Sequence, residues 1–393
     1  PLKDGAFASL ELDYDAERIA FVWTQADGGR HKWTPESTYH IFTANGDGSD
    51  LRQITEGSWN DFDPCFLPSG RIAFISGRRG GYGRCHGRPV PTYTLHSMRP
   101  DGSNIVQISH HETNEWHPSV DNDGRIVYTR WDYVDRDSDV AHHIWICNPD
   151  GRDPRSYHGN YPENRRSRPW MEMSLRAVPG SHRYIGTAAP HHGQAYGSLI
   201  LINHRLEDDR SMSQLRRVTP TTRFPESEGG AEAYGSPWPL SEDYYLCVYR
   251  HGSSRYGLYL VDAFGNRILL HRDSEISYVD PIPLRPRTRP PVIPPQNDAI
   301  GDDSVNPTER TGKMAIMDVY EADFEWPEDT DITHLRVVQI FPKATPGQFD
   351  PRVGHGAQSL ARAVLGTVPV EDDGSAYFEL PAGVPVYLQA LDA

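Results

Sequence analysis

A chain of 393 residues with 37% hydrophobic and 24% charged side chains can bury one large core or several small ones. Its formal net charge of −15 excludes non-specific nucleic-acid binding, which needs a basic face. No window approaches the roughly 18 consecutive apolar residues of a membrane span, and 34 Gly, 33 Pro, 20 Tyr and 9 Trp make the mixture of a turn-dense, aromatic-rich all-β protein.

The first group of strands is expected at 8–12, 18–24, 39–44 and 51–55, with polar turns at 13–17 and 45–48. A second group repeats the order at 64–67, 71–76, 92–98 and 105–109. A third follows at 118–120, 125–130, 143–148 and 155–157. The phrase NDFDPCFLPSGRIAFISGR (60–78) returns as NEWHPSVDNDGRIVYTRW (114–131), so that Pro64 and Pro118 stand 54 residues apart. Gly70 and Gly124 close the matching hairpins, where the chain needs the positive φ that Gly tolerates. A fixed period of this length, built only from strand and turn signals, marks the blade of a β-propeller.

A degenerate fourth blade reads at 175–178, 184–188, 198–203 and 214–219, and a fifth at 237–240, 244–250, 256–262 and 267–271. A sixth opens at Asp280-Pro281-Ile282. It is interrupted by a Pro-rich, Asp/Asn-rich stretch at 285–310 that reads as a mobile linker. Strands at 313–320 and 334–340 would complete that blade, giving six blades (seven is the alternative) over residues 1–340. From 341 to 393 the register changes, and strands at 363–370, 375–380 and 384–390 predict part of a small β-sandwich-like module. No stretch has the period of an amphipathic helix of normal length. A first residue of Pro rather than Met reads as a processed or cut chain.

In propellers the residue leading into the innermost strand faces the central channel. Here that residue precedes the opening proline of the blade, which singles out Asp63, His117, Ser236 and Asp280. Asp at this place commonly makes turn hydrogen bonds that lock blades together. His117 is a poor turn-former and a good ligand or base. The loop from Arg78 to Pro89 sets Arg84, Cys85, His86 and Arg88 among glycines. A thiolate beside guanidinium groups would have a depressed pKa, suited to metal ligation or nucleophilic work. The opposing reading is a Cys65–Cys85 disulfide or solvated loop charges.

The four cysteines form no CxxC or CxxCH, so neither a zinc ribbon nor covalent haem attachment is encoded. In the fourth blade Pro190-His191-His192-Gly193 resembles a metal or acid/base element, with at most one imidazole expected to act. His142-His143 reads as structural. Arg84 and Arg88 of the second-blade loop, Arg166, Arg168 and Glu172 near the fourth-blade entrance, and Tyr196 are the candidate ligand contacts. Asp63, Cys85, His86, His117, His191 and His192 are the candidate metal ligands. No HExxH, P-loop, GxSxG or EF-hand pattern occurs.

The segments YGRCHGRPVPTYTLHSMRPDGSN, HETNEWHPSVDNDGRIVYTRWDYVDRD, FPESEGG and VLGTVPVEDDGSAYFELPAGVPVYLQALD resemble the hydrazine synthase alpha-subunit-like family, from about Asp13 to Asp392. That family combines a TolB-type propeller with a middle module leading into c-type haem sites. The resemblance implies an extracytoplasmic redox protein, periplasmic or secreted, whose propeller shapes a haem-containing pocket. It also implies a zinc site near the haem, with a propeller-side cysteine that Cys85 matches by position and His117 as co-ligand. With no CxxCH in this chain, haem c would come from a further C-terminal region or a haem-bearing partner subunit. Two other functions fit the same residues. One is a polysaccharide-lyase-like propeller, in which Arg84, His86, His117, His192 and Tyr196 act on uronic-acid polymers. The other is a non-catalytic, protein-binding scaffold.

Overall fold

The computed structural model describes residues 2, 4–26, 34–85, 89–133, 140–159, 164, 168–252, 255–303, 310–352 and 359–392. The chain divides into two units. The first comprises Pro1–Arg79, Thr92–Ser109 and Thr113–Asn297; the second comprises Gly80–Pro91, His110–Glu112 and Asp298–Ala393. Both are all-β, and no α-helix occurs among the described residues.

The first unit is a β-propeller of antiparallel four-stranded meanders, the third and fourth of which are joined into one sheet by a single parallel bridge between His142 and Met171. The first meander is β1 (Ala6–Leu12), β2 (Arg18–Thr24), β3 (His40–Asn45) and β4 (Arg52–Gln53), and the second is β5 (Asp61–Phe66), β6 (Ile72–Ser76), β7 (Thr94–Met98) and β8 (Val106–Gln107). The third is β9 (Glu115–Val120), β10 (Ile126–Trp131), β11 (His142–Cys147) and β12 (Arg155–Ser156). The fourth is β13 (Met171–Ala177), β14 (Arg183–Ala189), β15 (Ser198–Asn203) and β16 (Leu215–Arg217). The fifth is β17 (Tyr234–Pro239), β18 (Tyr244–Tyr249), β19 (Gly257–Asp262) and β20 (Arg267–His271). The first strands pack side by side, β1 on β5, β5 on β9, β9 on β13 and β13 on β17. Between the sheets lie apolar layers such as Tyr39, Ile41, Phe66, Phe74 and Met98. Each such side chain contributes about 1.5–3 kcal/mol by leaving water.

The repeated phrase Asn-(Asp/Glu)-x-(Asp/His)-Pro has a physical meaning here. Asn60 and Asn114 accept the main-chain N–H groups of Tyr39 and Tyr93 in the preceding blade, at 2.9 and 3.0 Å. The following acids, Asp61 and Glu115, return their own N–H groups to the carbonyls of the same two tyrosines. Each junction therefore clasps one blade's third strand to the next blade's first strand.

Asp280 occupies a sixth inner position, accepting the Ser236 hydroxyl at 2.7 Å. No sixth four-stranded sheet follows it among the described residues. The strands expected to complete that blade belong instead to the second unit. There β21 (Thr311–Ile316) pairs with β24 (Ala376–Pro381), and β22 (Ile332–Ile340) lies between β23 (Arg362–Pro369) and β25 (Val386–Asp392). Leu335, Val337, Ala376 and Phe378 form that unit's core. The division thus falls near residue 297 rather than at 340.

The segment expected to be a mobile linker is anchored over its first part. Arg287 donates to Glu11 and to the Leu12 carbonyl at 2.6 Å each, Arg289 pairs with Asp15 at 2.6 Å, and the Gln296 N–H donates to Asp150 at 2.7 Å. The chain from 283 to 296 is a strap across the first-strand hairpins of the propeller. Its prolines suit this extended course because they remove donors that a strap could not satisfy.

Candidate functional site at the channel end

Six non-glycine residues with left-handed backbone ring one end of the channel. They are Ser9 (φ 48°), Asp63 (51°), His117 (48°), Ser174 (52°), Ser236 (46°) and Asp280 (44°). In each of the five meanders the residue sits at a β-bulge in the first strand. The bulge turns a side chain from the sheet face into the channel. A non-glycine residue held this way costs on the order of 1–3 kcal/mol, a cost found mostly at functional positions.

The six line one cavity of about 80 Å³, together with Glu11 and Arg176. Ser9 donates to Asp63 at 2.5 Å, and the other Asp63 oxygen accepts the His117 N–H at 2.9 Å. The Ser174 N–H donates to His117 Nδ1 at 3.2 Å, so the neutral ring carries its proton on Nε2, 3.9 Å from Asp63. Tyr196 packs on Tyr256 and reaches Ser236 beside Asp280; burial, with the Asp280 charge adding, pushes its hydroxyl up to about 12.

Deeper in the channel Glu11 is buried between Arg176 (2.8 Å) and Arg287 (2.6 Å). Burial alone would raise its pKa, but the two guanidinium groups outweigh it and hold the carboxyl below the usual range. Arg176 lies over the Trp238 ring at 4.3 Å. Ser119, Arg176 and Trp238 also line a second cavity of about 610 Å³, whose far wall is the strap at Arg285–Arg287.

Of the expected channel-facing residues, Asp63, His117, Ser236 and Asp280 all stand in the ring. Ser9 and Ser174 complete it and escape a proline-based reading because leucine follows each. Arg168 and Glu172 are not surface ligand contacts. Arg168 is 1% exposed with Nη1 2.7 Å from His143 Nε2, and Glu172 is fully buried with Oε1 2.8 Å from His158 Nε2. Burial would raise Glu172, but His158 and His143 outweigh it and hold the carboxyl far below its ordinary value. Burial would likewise lower His158, but Glu172 and the Gln214 amide oxygen raise it. This network fastens the third and fourth meanders together.

Arg84 is also engaged, donating to Glu112 at 2.9 Å within the second unit, to which Cys85 belongs. All four cysteines are free thiols, so the Cys65–Cys85 disulfide does not form. His86, Arg88 and Arg166 lie outside the described residues.

Among the described residues, one group brings three candidate ligand atoms within 4.8 Å of one another: His191, His192 and Glu226. Both adjacent histidines turn a ring nitrogen to this point, where one of the pair was expected to point away. Glu226, which precedes the fifth meander, carries no sequence signal beyond its place in the FPESEGG segment.

Stacked meanders, a bulged polar ring and a separate five-stranded module define the class: a β-propeller protein with an appended β-module. Residues 330–393 match the family described as the hydrazine synthase alpha subunit middle domain. Over 98% of its length the chain superposes on Kuenenia stuttgartiensis hydrazine synthase, with a TM-score of 0.76 and 18% identity. The chain thus shares its fold with that hydrazine synthase, and its last 64 residues carry the match to the alpha-subunit middle domain. It spans 59% of that hydrazine synthase chain. TolB from Acinetobacter baumannii is a looser likeness (TM-score 0.42, 17% identity, 66% of this chain and 53% of that one). So is an oligogalacturonate lyase from Vibrio parahaemolyticus (TM-score 0.42, 12% identity, 67% of each chain). No curated protein matches the sequence. No helix among the described residues is long and apolar enough to cross a membrane.

Proposed function

We propose that this chain is the propeller portion of an extracytoplasmic redox protein of the hydrazine synthase alpha kind. In this reading the ring around Asp63, His117 and Asp280 frames a small polar site next to a haem supplied by a further domain or a partner subunit. The observation that carries it is the middle-domain match at 330–393 on a chain whose whole length follows one hydrazine synthase fold.

The chain's own residues do not fit covalent haem attachment. Its four cysteines lie in no CxxCH, and Cys65, Cys147 and Cys247 are buried. What these residues supply is the second wall of a site. The 80 Å³ cavity admits a few water-sized groups. His117 is the imidazole of the ring, with its Nδ1 engaged by Ser174 and its Nε2 left to exchange a proton with whatever occupies the cavity. The reading as a uronate lyase loses support, because Arg84, the arginine it relies on, is already engaged by Glu112.

The test is His117→Asn in the natural assembly. The reading expects unchanged haem content but an altered pH dependence of the haem's visible spectrum. Identical spectra across pH 5–9 would remove His117 from the site.

A further inference from the structure

We propose that His191, His192 and Glu226 form a divalent transition-metal site on the propeller, with Zn²⁺ as its ligand. This inference is independent of any haem. The loop after β14 carries the two histidines, and Glu226 comes from the turn that leads towards β17. The Glu226 backbone is left-handed (φ 56°), which aims its carboxylate back at the loop. One carboxylate oxygen, Oε2, accepts the main-chain N–H groups of both His191 and His192, the latter at 3.0 Å. That clamp leaves Oε1 facing His192 Nδ1 at 2.9 Å.

Two ligands about 2.0–2.1 Å from one zinc ion lie roughly 3.0–3.4 Å apart, so the His192–Glu226 pair already has nearly the bite a metal requires. The His191 ring centroid is 4.2 Å from that of His192, which brings the second imidazole to the same point. Behind His191 stand the rings of His142 (5.6 Å) and Trp131 (6.3 Å), both buried, which give the site a rigid inner wall. In front, His192 is 79% exposed, so an ion can enter and keep water on its open side.

Two imidazoles and one carboxylate with an open position suit borderline divalent ions rather than calcium or magnesium, which prefer all-oxygen shells. The competing account is that His192 and Glu226 merely latch the loop. The two differ in whether the metal-free protein gains an ion.

The experiment is titration of the metal-free full chain with ZnCl₂ by calorimetry, and with CoCl₂ by visible absorption. Glu226→Gln, His192→Ala and the control His271→Ala would be compared with the parent. Glu226→Gln keeps an acceptor for the loop N–H groups and removes the anionic ligand, and circular dichroism of each variant checks the fold. We expect one equivalent of Zn²⁺ in the parent and the control, weakened at least tenfold in the other two. Cobalt should give visible bands of a low-coordinate site in the parent and the control only. No saturable binding in the parent, or equal binding in all four proteins, would overturn the proposal in favour of the latch.

Discussion

Glu172→Gln should be among the most damaging single changes in the propeller, although it alters neither size nor shape. The carboxylate is fully buried, with His158 at 2.8 Å and His143 at 3.6 Å, and its second oxygen accepts the Ile144 N–H at 3.3 Å. His158 is held as an imidazolium, because its Nδ1 faces the Gln214 amide oxygen at 3.0 Å while the Gln214 amide nitrogen donates to the carbonyls of Tyr157 and Leu206. Removing the negative charge leaves this cation buried without its counter-ion. That costs about 3–5 kcal/mol, or roughly 5–8 °C in Tm for a unit of this size.

The pH dependence carries a sign of its own. Glu172 titrates below its unfolded value in the folded protein, so its stabilisation is present above about pH 4.3 and is lost as acid protonates it. His158 titrates above its unfolded value, so its share is complete below about pH 6.5 and fades as pH rises through the folded pKa. The stability difference between parent and variant should therefore be largest between about pH 5 and 6.5 and shrink on both sides. Urea unfolding followed by tryptophan fluorescence from pH 4 to 9 measures that difference directly. A cost below about 1 kcal/mol, or one that does not change with pH, would refute the ion-pair account.

Other changes probe other parts of the fold. Arg287→Met leaves Glu11 with Arg176 alone and unfastens the strap; we expect 1–3 kcal/mol of lost stability, roughly, and faster amide exchange at 283–297. Unchanged exchange there would mean that prolines alone hold the strap. Glu115 is the opposite of Glu172: burial pushes its carboxyl up to about 7, against the hydrogen bonds from Ser109 and Leu95. The folded protein then keeps a proton that the unfolded chain releases, so this group's contribution falls from about pH 4.3 to 7 and levels off above. Glu115→Gln should remove that fall and be relatively more stable at pH 8 than at pH 5; equal effects at both would contradict it.

Much of the propeller is legible because its signals are local. A proline after the bulge and an Asp-Gly or Ser-Gly hairpin turn recur at fixed spacing, which locates Asp63, His117, Ser236 and Asp280. Ser9 and Ser174 are followed by Leu10 and Leu175 and leave no such mark. The strap was invisible for a different reason. Its composition is that of a linker, and what orders it is a carboxylate 276 residues away. Arg168 and Glu172 read as a ligand patch because charge in a loop looks solvated until its partners at His143 and His158 are in place. Alternation in β21 and β22 is correct for strands, but a period of two does not say which sheet a strand joins. That ambiguity misplaced the division by about forty residues. The pairing of His191 with His192 depends on Glu226, whose backbone reverses towards them.

The most direct test of the functional account is haem analysis of the natural gene product, purified from the extracytoplasmic fraction with its partners. The account predicts a pyridine haemochrome spectrum of c-type haem in the assembly and none covalently bound to residues 1–393. An exported product that is complete and free of haem would contradict it and leave a scaffold propeller in its place.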